Sequence, residues 1–288
     1  MAITDDQVAR LRTPHGAVRV RDTGGTGPPV LLIHSLLADP DAYMRLVPLL
    51  VTQGRRCVLP ELPLGAHAVP LHADADLTPA GLARLLIEVL DQLDLARVDV
   101  IGVDTVGALA QLLMANHRDR VRHVILTACD AYEEFPPRRF KAAVDVARLP
   151  GVLAAAGTLA RTRHGRRAFA PRALTHYGLD DATLRRWTTP LRNRRVRSDL
   201  RRALSAMRPS YTLAAAQANR NFPGHVVIAW GDDDTFFPAR LADRLTADPH
   251  ATQITLTDCA ALAALDQPAE IARLANQCFG PGTTTDAL

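Results

Sequence analysis

Aromatic side chains are scarce in this chain, at 5% of 288 residues, so leucine, valine and alanine must build its core. No apolar run approaches the ~20 residues that a membrane-spanning helix needs, and no membrane partner is expected. Paired cysteines are missing as well. Cys57, Cys129, Cys259 and Cys278 are scattered without a CxxC, and two of them close strand-like runs. They read as buried thiols rather than disulfides or metal ligands. None of the ten histidines forms an HxxxH or HExxH pair, which argues against a zinc site. No metal and no cofactor is expected. The opening MAITDDQVARL is acidic and lacks the apolar core of a signal peptide, from which a cytoplasmic location is expected.

The charge is unevenly spread. Residues 135–211 carry 17 Arg and one Lys against four Asp, a local balance of +14 within a chain whose net charge is +4. A basic segment therefore sits in an acidic body. It either pairs with that body or forms a lid that attracts an anionic substrate. Few aromatics, a single Lys and no reader motif in that segment speak against nucleic acid as a partner.

Along the chain, VARLRT and GAVRVRD, separated by His15 and Gly16, predict an antiparallel hairpin over 7–22. Buried-strand runs then alternate with helical patterns. PVLLIHS (29–35) precedes a helix near 40–53. RRCVLPEL (55–62) precedes a helix from Thr78 to about Leu93, with Thr78 as N-cap and Pro79 in the first turn. VDVIGVD (98–104) leads into a helix over 105–117. After VRHVILTAC (121–129) come about 80 residues of helical pattern without a clear strand. HVVIAWG (225–231), a helix near 238–246, QITLTD (253–258) and a helix near 268–278 complete the alternation. Such alternation implies an α/β fold with a mostly parallel, doubly wound sheet. The division expected is a core of 1–134 and 212–280, an Arg-rich helical cap at 135–211, and a flexible tail at 281–288.

Ligands of an open parallel sheet bind at the carboxyl ends of its strands. Asp104, Asp130 and the run Asp232–Asp234 stand at such ends, as do His34 and Ser35. In IGVDTVG, Gly102 and Gly107 flank Asp104, as a tight strand–nucleophile–helix turn requires; Val106 breaks that pattern of small residues.

These motifs resemble the α/β-hydrolase superfamily over nearly the whole chain. LLIHS matches the strand and oxyanion turn, IGVDTVG the nucleophile elbow, WGDDDTFFP the acid turn and DCAALAALDQP the histidine loop. The resemblance implies the α/β-hydrolase fold with an inserted cap. It places the triad acid at Asp234, with Trp230 opening that turn as a pocket residue. An Asp at the elbow is similar to haloalkane dehalogenases and epoxide hydrolases, where it forms a covalent ester. Asp130 matches the alternative acid position of some dehalogenases.

The departures from the family decide the expectation. The position of the general-base histidine holds Ala261, and the loop around it has no histidine. The halide-binding positions hold Leu36 and Thr105. The oxyanion turn reads His34–Ser35. Tyr177 and Tyr211 are the lid tyrosines to compare with those of epoxide hydrolases. Without a base, an ester on Asp104 would persist, since general-base assistance is worth about 100- to 10,000-fold. Like-charged Asp104, Asp130 and Asp234 in one desolvated pocket would instead hold different protonation states and serve as acid and base. The expected function is proton-transfer chemistry without hydrolysis: epimerisation, isomerisation or cyclisation of a small molecule or peptide, in secondary metabolism. Atypical members of the superfamily include a peptide epimerase, a precedent at the level of fold. Two alternatives stay open. One is a hydrolase in which Asp104 attacks and a relocated base acts, with His67 first in line and His34, His72 and His176 after it. The other is a ligand-binding member without catalysis.

Overall fold

The computed structural model describes residues 8–168, 172–247 and 250–280. Eight strands form one sheet: β1 (Val8–Thr13), β2 (Gly16–Asp22), β3 (Pro29–Ile33), β4 (Arg56–Pro60), β5 (Val98–Asp104), β6 (Val121–Cys129), β7 (Val226–Gly231) and β8 (Ala251–Leu256). Their order is β1-β2-β4-β3-β5-β6-β7-β8. The β1–β2 and β2–β4 pairs are antiparallel, and every other neighbouring pair is parallel. The chain thus has the α/β-hydrolase fold.

The helices are α1 (Val47–Thr52), α2 (Pro79–Gln92), α3 (Gly107–Asn116), α4 (Arg138–Ala147), α5 (Val152–Leu159), α6 (Arg163–Arg167), α7 (Asp181–Thr188), α8 (Arg194–Ala206), α9 (Pro209–Asn219), α10 (Arg240–Leu245), α11 (Ala263–Asp266) and α12 (Pro268–Cys278). β5 is buried along its whole length, as a strand covered on both faces must be. Leu82, Leu86 and Val89 of α2 and Leu109 and Leu113 of α3 pack one face of the sheet. Leu50 of α1 and Ile271 and Leu274 of α12 pack the other. Thr78 caps α2 by accepting the Gly81 N–H at 3.1 Å, with Pro79 in the first turn.

Several expected boundaries shift for local reasons. β3 stops at Ile33, because the His34 ring turns to accept the Leu62 N–H at 2.8 Å. The helix expected over 40–53 is broken into a 3-10 turn at Pro40–Tyr43 and α1, where Pro48 occupies the first turn. β8 begins at Ala251 and ends before Asp258, whose φ of 51° turns the chain. The boundary expected at 211 falls inside α9. The expected tail at 281–288 and the first hairpin residue, at 7, lie outside the described residues.

Helices α4–α9 lie between β6 and β7, and α4–α8 are here termed the cap. An apolar cluster joins cap to core, with Val144, Leu200, Leu204 and Met207 packing on Ala108 and Phe135 and on the partly buried Leu36, Leu37 and Tyr211. Polar ties reinforce it. Asp39, just after β3, accepts from Trp187 Nε1 at 2.8 Å and Arg186 Nε at 3.1 Å. Asp41 also pairs with Arg186, at 2.7 Å.

Candidate active site

Asp104 ends β5 with φ of 54°, a left-handed backbone that is uncommon for a residue with a side chain. That turn projects its carboxylate from the strand end as α3 begins. The close approach it requires is visible at Gly107, where a Cβ would lie 2.3 Å from the Cys129 Cβ. Val106 fits because its own φ is −91°, in no need of glycine, and its side chain is buried in the core. The Ser35 hydroxyl donates to Asp104 Oδ2 and the Thr105 hydroxyl to Oδ1, the latter at 3.2 Å. Burial, with Asp104 only 7% exposed, pushes its carboxyl above the ordinary range, and these hydrogen bonds oppose the shift.

Asp130 follows β6 and is 0% exposed. Neither carboxylate oxygen has a hydrogen-bond partner. Burial lifts its pKa well above the usual carboxylate value, and the charges of Asp104 and Glu134 add to the shift. Asp234 sits in the turn after β7. Its Oδ1 accepts the backbone N–H groups of Phe236 and Phe237 at 2.7 and 3.2 Å, while Oδ2 has no partner. Burial raises its pKa to about 6 against those two bonds, with Asp104 adding to the rise. Asp104 thus acts electrostatically on both other carboxylates. All three also push up the buried Cys129 thiol, after burial itself.

The other expected site residues make contacts within the scaffold. Both ring nitrogens of His67 are engaged: Nδ1 accepts the Gly65 N–H at 3.3 Å and Nε2 faces Asp199 Oδ2 of α8 at 3.2 Å. With both nitrogens engaged, the ring is a pin between core and cap. His34 is held through Ser35 O and the Leu62 N–H, and burial drops its pKa to about 4. It is a neutral strut between the ends of β3 and β4. Trp230 is buried and donates Nε1–H to Phe237 O at 3.2 Å, closing the acid turn. Ala261 is fully buried in the main core cluster, among packed apolar atoms. Leu36 and Tyr211 join the cluster beneath the cap. Tyr177 is 46% exposed and lies under Arg45, with its N–H on Asp266. His72 faces Pro14 O, and His176 faces Asp233 at the surface.

Three contributors escape a reading of motifs. Glu134, buried beside Asp130, binds Arg240 at 2.6 Å and Arg138 at 3.0 Å. Asp199 takes the Leu71 N–H at 3.0 Å as well as His67. Tyr43 ties β3 to β5 by donating to Ile33 O at 2.7 Å. Glu134 through Arg240, Asp199 through His67 and Tyr43 through Ile33 act across chain separations that no motif spacing announces. A cavity of about 750 Å³, lined by Met114, Leu126, Phe222 and Ile228 among others, is not lined by any of the three carboxylates.

A model of the family described as the alpha/beta hydrolase fold matches residues 28–268. A zearalenone hydrolase of Bionectria ochroleuca is 28% identical over 118 residues, 40% of this chain and 44% of that one. A haloalkane dehalogenase of Psychrobacter cryohalolentis is 27% identical over 124 residues, 43% of this chain and 40% of that one. The matches thus span less than half the length of these relatives. An alpha/beta hydrolase fold protein from Burkholderia ambifaria superposes with a TM-score of 0.79 at 20% identity, covering 96% of this chain and 100% of that one. At that identity the likeness is one of fold.

Proposed function

From the premise that the chain belongs to the α/β hydrolase fold family, we propose that it transfers protons on a small molecule or peptide through Asp104, Asp130 and Asp234 rather than hydrolysing it. One observation carries this reading: Asp234 keeps Oδ2 free beside Asp104 at the elbow, while the position of the family's base is the buried Ala261. With its pKa near 6, Asp234 is ionised in most molecules at neutral pH and can accept a proton. Asp130, which burial pushes toward its protonated form, can return one. Carboxyl groups split in this way meet the need of an epimerisation, isomerisation or cyclisation for an acid and a base together. Asp104, carrying the hydroxyls of Ser35 and Thr105, positions the reacting group, and its charge adds to the upward shift that burial gives both other carboxyls.

The test is solvent exchange. Incubation in D2O with a panel of carbonyl compounds and short peptides is expected to give deuterated material without hydrolysis products. Asp104→Asn and Asp234→Asn should each abolish the exchange. Full exchange in both variants would remove the carboxylate mechanism.

A second reading draws on the haloalkane dehalogenase match and on the left-handed Asp104, the geometry of an elbow nucleophile. In it Asp104 attacks an alkyl halide or epoxide. Leu36 and Thr105 at the halide positions and the engaged nitrogens of His67 weigh against turnover. Mass spectrometry of the peptide holding Asp104 distinguishes the two, because only this reading leaves an ester there.

A further inference from the structure

The cap presents one surface that none of the site chemistry uses. In α5 (VLAAAGTL), only Gly157 is buried. Leu159 is 54% exposed, and Leu149 of the preceding turn and Val146 at the end of α4 are 56% and 50% exposed. These are three of the six large hydrophobics exposed among the described residues, drawn together within fourteen positions of the cap. Single exposed apolar residues are ordinary; a grouping of this kind marks a contact surface.

Cations surround it. Arg161, Arg163 and Arg167 follow α5, and Arg194, Arg195 and Arg201 lie on α8. All six are exposed and have no ion pair among the described residues. The nearby acid, Asp145, is already held by Lys141 and Arg148. A groove of about 460 Å³ places the two chemistries side by side, with Leu149, Leu153 and Ala154 on one wall and Arg194, Ser198 and Arg201 on the other. Buried Val196, Leu200 and Leu204 hold the opposite face of α8 against the cap interior, which fixes the basic stripe outward.

We propose that this α4–α5 corner of the cap docks on the surface of an anionic lipid bilayer. Leu149, Val146 and Leu159 enter the boundary between headgroups and acyl chains, and the six arginines meet the phosphates and carboxylates above them. An apolar tip ringed by unpaired cations matches that layering, whereas a wholly aqueous partner would leave the leucines wet. No single described helix is long and apolar enough to cross a membrane; α4 and α5 reach that length and composition only as a pair, bent by 103° at the break between them, and this bent corner lies on the bilayer surface.

Co-sedimentation of the full chain with extruded vesicles tests the proposal. Binding is expected to equimolar phosphatidylcholine and phosphatidylserine, not to phosphatidylcholine alone, and should fade in molar salt. Arg194→Gln, Arg195→Gln and Arg201→Gln together should lower partitioning on the order of a hundredfold. Leu149→Gln with Leu159→Gln should lower it with an unchanged melting temperature, because both side chains face water. Absence of binding to anionic vesicles, or binding that survives both sets of substitutions, would overturn the docking surface. So would saturable binding of a monomeric alkyl phosphate or an acidic amphipathic peptide without any binding to vesicles.

Discussion

Asp234 carries a signature that a titration can read. Its pKa is raised from the ordinary value near 4 to about 6. The folded protein thus holds that proton more tightly than the unfolded chain. The stabilisation is fully present below about pH 4 and is lost as pH rises through about 6. The shift corresponds to about 3 kcal/mol across that window. Asp234→Asn keeps an acceptor for the Phe236 and Phe237 N–H groups but has no proton to lose. Its stability relative to the native chain is expected to climb between pH 4 and pH 7 by up to that amount. Urea midpoints of both proteins across the range measure it, and parallel curves would show that the carboxylate is not desolvated. The same residue is then expected to gain stability while losing deuterium exchange, the trade that a strained functional site makes.

At the level of elements, the elbow depends on β6 as much as on its own sequence. The first residue of α3, Gly107, has Cys129 where a Cβ would sit. Gly107→Ala is expected to cost about 1–3 kcal/mol by overpacking. Cys129→Gly removes the opposing atoms, so the double variant should recover part of that loss in a denaturation cycle. The motif around Asp104 was legible because the strand run, the paired glycines and the helical pattern are all local. The same holds for α2, whose cap Thr78 and Pro79 announce its start. What could not be read arises from contacts across the chain. His67 looks from its loop like a pocket base, and only Asp199, 132 positions later, shows it to be a pin. The end of β3 is set by Leu62 in another strand's loop, and the break before α1 by a proline that a broad helical pattern conceals. Trp230 reads as a pocket residue from its motif, yet the carbonyl of Phe237 draws it into the core.

For the molecule as a whole, the arrangement of cap over core decides whether the carboxylates can act at all. Asp104 is 7% exposed and Asp130 is sealed, so the proposed chemistry requires the structure to open, and movement of the cap is the route to test. The +14 segment and its acidic body hold each other at defined points, Arg186 with Asp39 and Asp41 on one side and α8 on the other. On the α8 side Arg202 donates to the carbonyls of His72 and Ala75, and Asp199 accepts both the His67 ring and the Leu71 N–H. Asp199→Ala leaves two buried donors without an acceptor, a cost of about 2–5 kcal/mol. If the cap moves as a unit, that cost appears as opening rather than as unfolding. Amide exchange is expected to accelerate through α8 while β3 and β5 keep their protection. Carbodiimide labelling of Asp104, negligible in the native chain, should rise in the same variant. Asp199→Asn, which retains a carbonyl oxygen for the Leu71 N–H, should sit between the two. Equal acceleration in α8 and in the central strands would instead mean that cap and core form a single cooperative body, and that the route to Asp104 lies elsewhere than under α8.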